Sequence, residues 1–244
     1  MTSDVDDPAT PAQNTAPLVE TRDLSVGYGP DAPVCAPITL SVRPGEVLAV
    51  VGANGTGKST LLRTVTGILP PLAGTVRVLG RPVDERTSTQ RAALAVDLGD
   101  EAFFPALTVR EHLELVCIGH RVPSPREVVD ALLEELGLDS RADALPEALS
   151  SGQRRRLLLA AVLARPRSLL ILDEPEQRLD AGMRDRLTTL LRDEAEAGGA
   201  VLVVTHDAAL VRGAATSGLI LAEAGQDVAT PVTAHEAAAA IEAL

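Results

Sequence analysis

The chain has 244 residues and a formal net charge of −12, long enough to bury roughly 70 to 75% of the surface of its unfolded form in one α/β unit with an added lobe. That charge repels a nucleic-acid backbone unless basic residues gather on one face, and the only basic run is Arg154, Arg155 and Arg156. Aromatic residues are 1% of the chain and Trp is absent, which removes a base-stacking platform, so no nucleic-acid partner is expected.

In chain order, residues 1–17 hold Asp4, Asp6, Asp7 and three prolines with hardly a large apolar side chain, and are expected to be disordered. Residues 18–26, 38–42 and 47–51 read as strands of an N-terminal antiparallel β subdomain and the start of the core, punctuated by Gly27, Gly29, Pro30, Pro33, Pro37, Pro44 and Gly45. Residues 74–79 and 93–98 continue the strand pattern. From Thr108 the period becomes helical. Thr108 with Glu111 and Ser124 with Glu127 have capping-box spacing, the second with Pro125 at the first helical position. With residues 141–149 they predict a helical subdomain inserted at about 100–152. The core resumes at about 153 and runs to 244: a helix over 153–164, a buried strand over 168–172, a helix capped by Asp180 that stops at Gly198 and Gly199, and strands over 200–204 and 219–221. Thr233 and Glu236 form a third capping box before a short alanine-rich helix.

Chemistry concentrates in residues 52–60, Gly52-Ala53-Asn54-Gly55-Thr56-Gly57-Lys58-Ser59-Thr60. Lys58 is the only lysine, and every other basic residue among the 22 Lys and Arg is arginine. A flat guanidinium does not replace a compact ammonium lying between phosphate oxygens. In this pattern glycines turn backbone N–H groups toward phosphates and a hydroxyl, here Ser59, holds magnesium. The apolar strand Val47–Val51 before it and a helix after it supply the context of a phosphate loop. A second buried strand ends in Asp173 and Glu174. An aspartate at such a strand end reaches a magnesium ion beside phosphates, and the next carboxylate can orient or deprotonate a water.

The order of these motifs resembles the ATP-binding cassette (ABC) family, because Leu149-Ser150-Ser151-Gly152-Gln153 is similar to that family's signature, followed by a basic helix and the Asp-Glu strand. The resemblance implies a P-loop NTPase core with both subdomains, ATP and Mg2+ as ligands, and two cassettes sandwiching nucleotide head to tail. Ser150, Ser151, Gly152 and Gln153 would then meet the γ-phosphate bound by a second ABC ATPase subunit. It also implies that His206 contacts the γ-phosphate, that Asp180 links the two sites, and that Tyr28, the sole tyrosine, stacks on adenine. The chain is thereby expected to power an integral-membrane transporter subunit from the cytoplasmic face, with the lobe leaning toward export. A soluble ABC ATPase and a degenerate, non-hydrolysing cassette are the alternatives.

Three departures from the family pattern stand out. The family's glutamine at the entrance to the helical lobe is missing, and by register Gly99 or Asp100 takes its place, Asp100 being a further candidate for reaching magnesium through water. Glu176 and Arg178 replace small or polar residues. Phe103 and Phe104, the only phenylalanines, either dock a membrane partner or seal the lobe. Cys35 and Cys117 have no metal or redox spacing and are expected to be packing residues. No apolar run has the length of a spanning helix, the longest being residues 157–164.

Overall fold

The computed structural model describes residues 16–29, 32–84, 86–100, 102–222 and 229–244. The expected disordered tail, apart from its last two residues, lies outside them, as does Pro30. In chain order the elements are β1 (Val19–Ser25), β2 (Ile38–Val42), β3 (Val47–Val51), α1 (Lys58–Val65), β4 (Ala73–Val78), β5 (Arg81–Pro82), α2 (Ser88–Ala93) and β6 (Leu94–Asp97). They continue with α3 (Val109–Gly119), α4 (Pro125–Glu135), α5 (Ser151–Leu163), β7 (Leu169–Asp173), α6 (Ala181–Glu196) and β8 (Ala200–Val204). The chain closes with α7 (Ala208–Ala214), β9 (Ser217–Ile220), β10 (Thr230–Val232) and α8 (Ala234–Glu242).

Two sheets result. The first is antiparallel with order β2-β1-β4-β5, and the second has order β10-β9-β3-β8-β7-β6. In the second, β9, β3, β8, β7 and β6 are parallel neighbours and only β10 runs antiparallel, at the edge. The central strands β3, β7 and β8 are buried at every position, as expected of a parallel sheet covered on both faces. The strand period of two sorts their side chains. Val47, Ala49, Val51, Leu170 and Leu172 face a core shared with Leu113, Leu133, Leu157 and Leu187. Leu48, Val50, Leu169 and Ile171 face the other, shared with Leu61, Leu62 and the antiparallel sheet's Val19, Ile38 and Val42. The lobe helices α3 and α4 thus cover one face, while α1 and the antiparallel sheet cover the other. Cys35 and Cys117 are free and buried, one in each core.

Several expectations need correction. Ser124 precedes α4 with φ 49 and ψ 58 and makes no capping bond. A capping box needs an extended N-cap, and here the chain enters left-handed, so Pro125 alone marks the helix start. Residues 141–149 add no α-helix to the lobe: a 3-10 turn ends at Arg141 (Asp139–Arg141) and a second spans Pro146–Ala148. The helices α2 and α7 and the strand β10 were not anticipated. By contrast, the boxes at Thr108 and Thr233 form with both reciprocal bonds, and Asp180 caps α6 by accepting from the Met183 N–H.

Candidate active site

The loop between β3 and α1 is shaped by backbone positions that exclude a side chain. A Cβ on Gly52 would lie 2.8 Å from the Leu221 carbonyl oxygen, and one on Gly57, which is left-handed with φ 86, would lie 2.6 Å from Val34 Cγ2. Gly57 is also the N-cap of α1, which begins with no side-chain cap and no acid in its first turn. The first N–H groups of α1 therefore have no side-chain acceptor, the arrangement that favours a bound anion. Thr56 Oγ1 donates to the Ala53 carbonyl at 2.9 Å. Lys58 curls back over the loop, its Nζ donating to the carbonyls of Gly52 (2.8 Å) and Ala53 (2.9 Å). Burial pushes the Lys58 ammonium pKa down, opposed by the charges of Glu174 and Asp173.

The acids arrive from β7. Asp173, its last residue, is buried, and its Oδ1 has no hydrogen-bond partner within the protein. Burial pushes its carboxyl pKa up, while the hydrogen bond from Ser59 and the Lys58 charge hold it down. Glu174 follows with φ 45, a sparsely populated conformation for a non-glycine residue and one that recurs at functional sites. Its Oε1 lies 3.4 Å from His206 Nε2, which has no hydrogen-bond partner, and its Oε2 accepts from the Gln177 carboxamide. His206 is fixed from behind by Glu176, whose buried Oε1 accepts from Thr205 Oγ1 (2.7 Å) and from the His206 N–H (2.8 Å). Burial pushes the Glu176 carboxyl pKa up, and those hydrogen bonds oppose it.

Around Glu174 the surface opens into three adjoining cavities. One of about 230 Å3 is lined by Ser59, Gly99, Arg155, Asp173, Glu174 and Gln177, among others. A second of about 350 Å3 runs from Glu174 past Lys58, Ser59, Thr60, Asn54 and Gly55 to Tyr28. A third, of about 750 Å3, is lined by Asn54, Glu174, Glu176 and His206. Tyr28 is 67% exposed, with its hydroxyl 3.4 Å from Thr60 Oγ1.

Tyr28, Asn54, Gly55, Gly57, Lys58, Ser59, Thr60, Asp173, Glu174 and His206 are thus brought together. Gly52, Ala53 and Thr56 hold the loop's shape. The signature residues are elsewhere. Ser150 caps α5, accepting from the Gln153 N–H at 3.2 Å while Gln153 Oε1 accepts from the Ser150 N–H at 2.9 Å. Ser150 and Ser151 are exposed, and Gly152 packs so closely that a Cβ would be 2.9 Å from the Arg178 carbonyl oxygen. Asp180, exposed, pairs with Arg156. Of the two residues at the place of the missing glutamine, Gly99 borders the Asp173 cavity, while Asp100 lines a cleft with Ile68, Phe104, His112 and Arg165. Arg155 and Gln177 join the site without having been expected there. Arg155 stood out only as part of a basic run, and no spacing signal marks Gln177.

The sequence matches the ABC transporter family over residues 35–177, and the chain belongs to that family as an ATPase cassette with the P-loop NTPase fold. Among relatives it is 36% identical to the Nod factor export ATP-binding protein I of Paraburkholderia xenovorans over 190 residues, 77% of this chain and 62% of that protein. It is 31% identical to the energy-coupling factor transporter ATP-binding protein EcfA2 of Methanospirillum hungatei, over 88% of this chain and 55% of that protein. The chain therefore spans less than two thirds of the length of either relative. A solved ATP-binding subunit of an ABC transporter superposes with a TM-score of 0.80 at 28% identity, covering 88% of this chain and 90% of that one. Among the described residues no helix is long and apolar enough to cross a membrane.

Proposed function

We propose that this cassette hydrolyses ATP to drive a separate membrane-spanning subunit, on the cytoplasmic face of the membrane and in the direction of export. Residues 18–244 act in this reading as one cassette domain, with the helical subdomain at about 100–152. The observation that carries it is the convergence of Lys58, Ser59, Asp173, Glu174 and His206 on a cleft whose far end is Tyr28. Tyr28 offers its ring to the adenine, while Lys58 and the N–H groups of residues 55–60 take the phosphates.

Asp173 Oδ1, buried and without a partner, and the Ser59 hydroxyl beside it fit a magnesium ion. An ion held by these two residues would supply neutralisation of charge at the phosphates. Glu174 orients the attacking water and accepts its proton at a carboxylate oxygen. His206 Nε2, unpartnered and close to that carboxylate, holds the γ-phosphate side of the same water. The exposed N-terminus of α5, at Ser150, Ser151, Gly152 and Gln153, serves the nucleotide of a second cassette, and Asp180 lies between the two sites.

The membrane subunit docks in the cleft between β6 and α3. Phe103 is packed against the core there, whereas Phe104 is 53% exposed on the cleft wall beside Ile68 and His120. In this reading Phe103 seals the lobe and Phe104 faces the partner. Export is supported by the name of the Nod factor relative.

The test is a tagged Glu174→Gln form expressed in the native cell, with membranes solubilised in the presence of ATP. Co-purification of a polytopic membrane protein is expected, and recovery from the soluble fraction alone would overturn the transport reading. Gly99, which brings no side chain to the cavity, favours one second reading, a cassette that binds ATP without turnover. It holds if wild-type and Glu174→Gln proteins release phosphate at the same background rate.

A further inference from the structure

The cavity beside Glu174 is lined by Gly99 and Arg155. Arg155 is buried, and its Nη1 lies 2.8 Å from Asp97 Oδ2 as a charge pair without hydrogen-bond alignment, the two side chains being 6% and 4% exposed. Its Nε donates to the Pro175 carbonyl at 3.2 Å, and its Nη2 donates to the carbonyls of Glu174 (3.2 Å) and Asp173 (3.4 Å). One planar fork therefore holds three consecutive backbone carbonyls, those of both site carboxylate residues and the proline after them. On its other side, Asp97 Oδ1 accepts from the Gly99 N–H at 2.9 Å. Gly99 is left-handed, with φ 82, at the turn that leads from β6 toward α3.

Burying a guanidinium and a carboxylate together is costly, and a well-packed apolar pair of similar volume is often as stable or more so. Packing alone therefore does not explain this pair. What an apolar pair of the same volume lacks is bonding of fixed direction: here Asp97 holds the Gly99 N–H, faces Arg155 as its counter-charge, and Arg155 holds the backbone under Glu174.

We propose that Arg155 and Asp97 are positioning residues that set the place of the turn at residues 173–175 by the place of the lobe hinge at Gly99. Movement of the lobe then moves Glu174 relative to the phosphates. This rests on the reading of Glu174 as the group that activates water.

The experiment uses the full chain and measures steady-state ATP turnover, fluorescent-nucleotide affinity and thermal melting of four proteins. They are wild type, Asp97→Asn, the double variant Asp97→Leu with Arg155→Met, and Glu174→Gln as the zero of turnover. Asp97→Asn keeps shape and acceptor but weakens the pair. Its turnover is expected to fall roughly 10- to 100-fold, the scale of an ångström-sized misplacement, with nucleotide affinity within about threefold of wild type. The double variant is expected to melt at or above the wild-type temperature and still turn over at least about tenfold slower.

Recovery of turnover together with stability in the double variant would overturn the proposal. Should the double variant not fold, Asp97→Asn decides alone, and turnover within about twofold of wild type overturns it. Wild-type turnover no faster than Glu174→Gln instead removes the ATPase reading, and this proposal falls with it.

Discussion

Removing the Glu176 carboxylate tests whether the His206 loop is held as the geometry indicates. Glu176 Oε1 is the acceptor for both Thr205 Oγ1 and the His206 N–H, and Thr205 is fully buried. In Glu176→Ala a buried hydroxyl and a partly buried N–H lose their acceptor, at about 1 to 3 kcal/mol each, or about 2 to 6 together. Relief from burying a carboxylate whose Oε2 has no partner offsets part of that, leaving about 2 to 4 kcal/mol. For a chain of this size each kcal/mol moves the midpoint by about 2 to 4 °C, so a fall of about 4 to 16 °C is expected by thermal circular dichroism. Glu176→Gln keeps the Oε1 acceptor and loses the charge, and is expected to melt within about 3 °C of wild type at pH 7.

The pH dependence has a definite sign. Burial raises the folded carboxyl above its ordinary 4.5, so the native state holds the proton more tightly than the unfolded chain does. The stability this gives is fully present below the unfolded value and is lost as pH rises through the folded one. Glu176→Gln lacks that loss, and its midpoint should gain on wild type as pH rises from about 4.5. A Glu176→Ala protein melting within about 2 °C of wild type, or a Gln variant falling as far as the Ala variant, would show that Glu176 does not hold the loop.

Tyr28→Ala should raise the KM for ATP by about 5- to 150-fold at unchanged kcat, the value of about 1 to 3 kcal/mol of stacking. Tyr28→Trp should restore it, and an unmoved KM for the Ala variant would place adenine elsewhere. Lys58 carries the only ε-amine in the sequence and its pKa is lowered by burial, so an amine acylating reagent followed by peptide mass mapping should find a single modified lysine. MgATP at ten times its Kd should slow that labelling about tenfold, and unchanged labelling would contradict phosphate binding at this loop. His112 is buried, with Nδ1 unpartnered and its ring 6.1 Å from Phe103 and 5.5 Å from Phe104. Burial lowers its pKa below 6.5, so the stability linked to its neutral form is present above that pH and lost as pH falls through the folded value. His112→Leu should therefore flatten the melting profile between about pH 7 and 5, and an unchanged slope would count against it.

What the sequence made legible is what local chemistry determines. The parallel strands announce themselves as unbroken apolar runs, and the phosphate loop by glycines that no other residue can replace. Capping boxes at Thr108 and Thr233 form because their neighbours leave the N-cap extended. The same spacing fails at Ser124, where the chain's path into α4 sets a left-handed backbone that no local pattern reveals. β10 was hidden by Pro231, which argues against a strand, yet the strand lies at the sheet edge, where a missing N–H is tolerated. Glu176 was visible as an anomaly, but its partners Thr205 and His206 are 29 and 30 positions away and meet it only through the pairing of β7 with β8.

Two of the departures from the family pattern, Gly99 and Glu176, border the Glu174 site, and together they have a mechanical meaning. Glu174 is held by its own turn, through the Gln177 carboxamide, and by β8, through its N–H to the Val204 carbonyl at 2.8 Å and the nearby His206. Glu176 ties that histidine back to the same turn. All of these contacts belong to the parallel sheet and its loops, so they move with the core. Gly99 adds no side-chain contact from the lobe hinge. Among the contacts around Glu174, the one that leads toward the hinge is the Arg155 bond to its carbonyl, continued through Asp97 to the Gly99 N–H. A glutamine at the hinge would reach nucleotide directly and respond to lobe movement by its own displacement. Here the same movement has to pass through a buried ion pair to the backbone, which shifts the base while leaving the phosphate loop alone. Coupling built this way changes kcat and spares ATP affinity, and that split separates it from a side chain that touches the nucleotide.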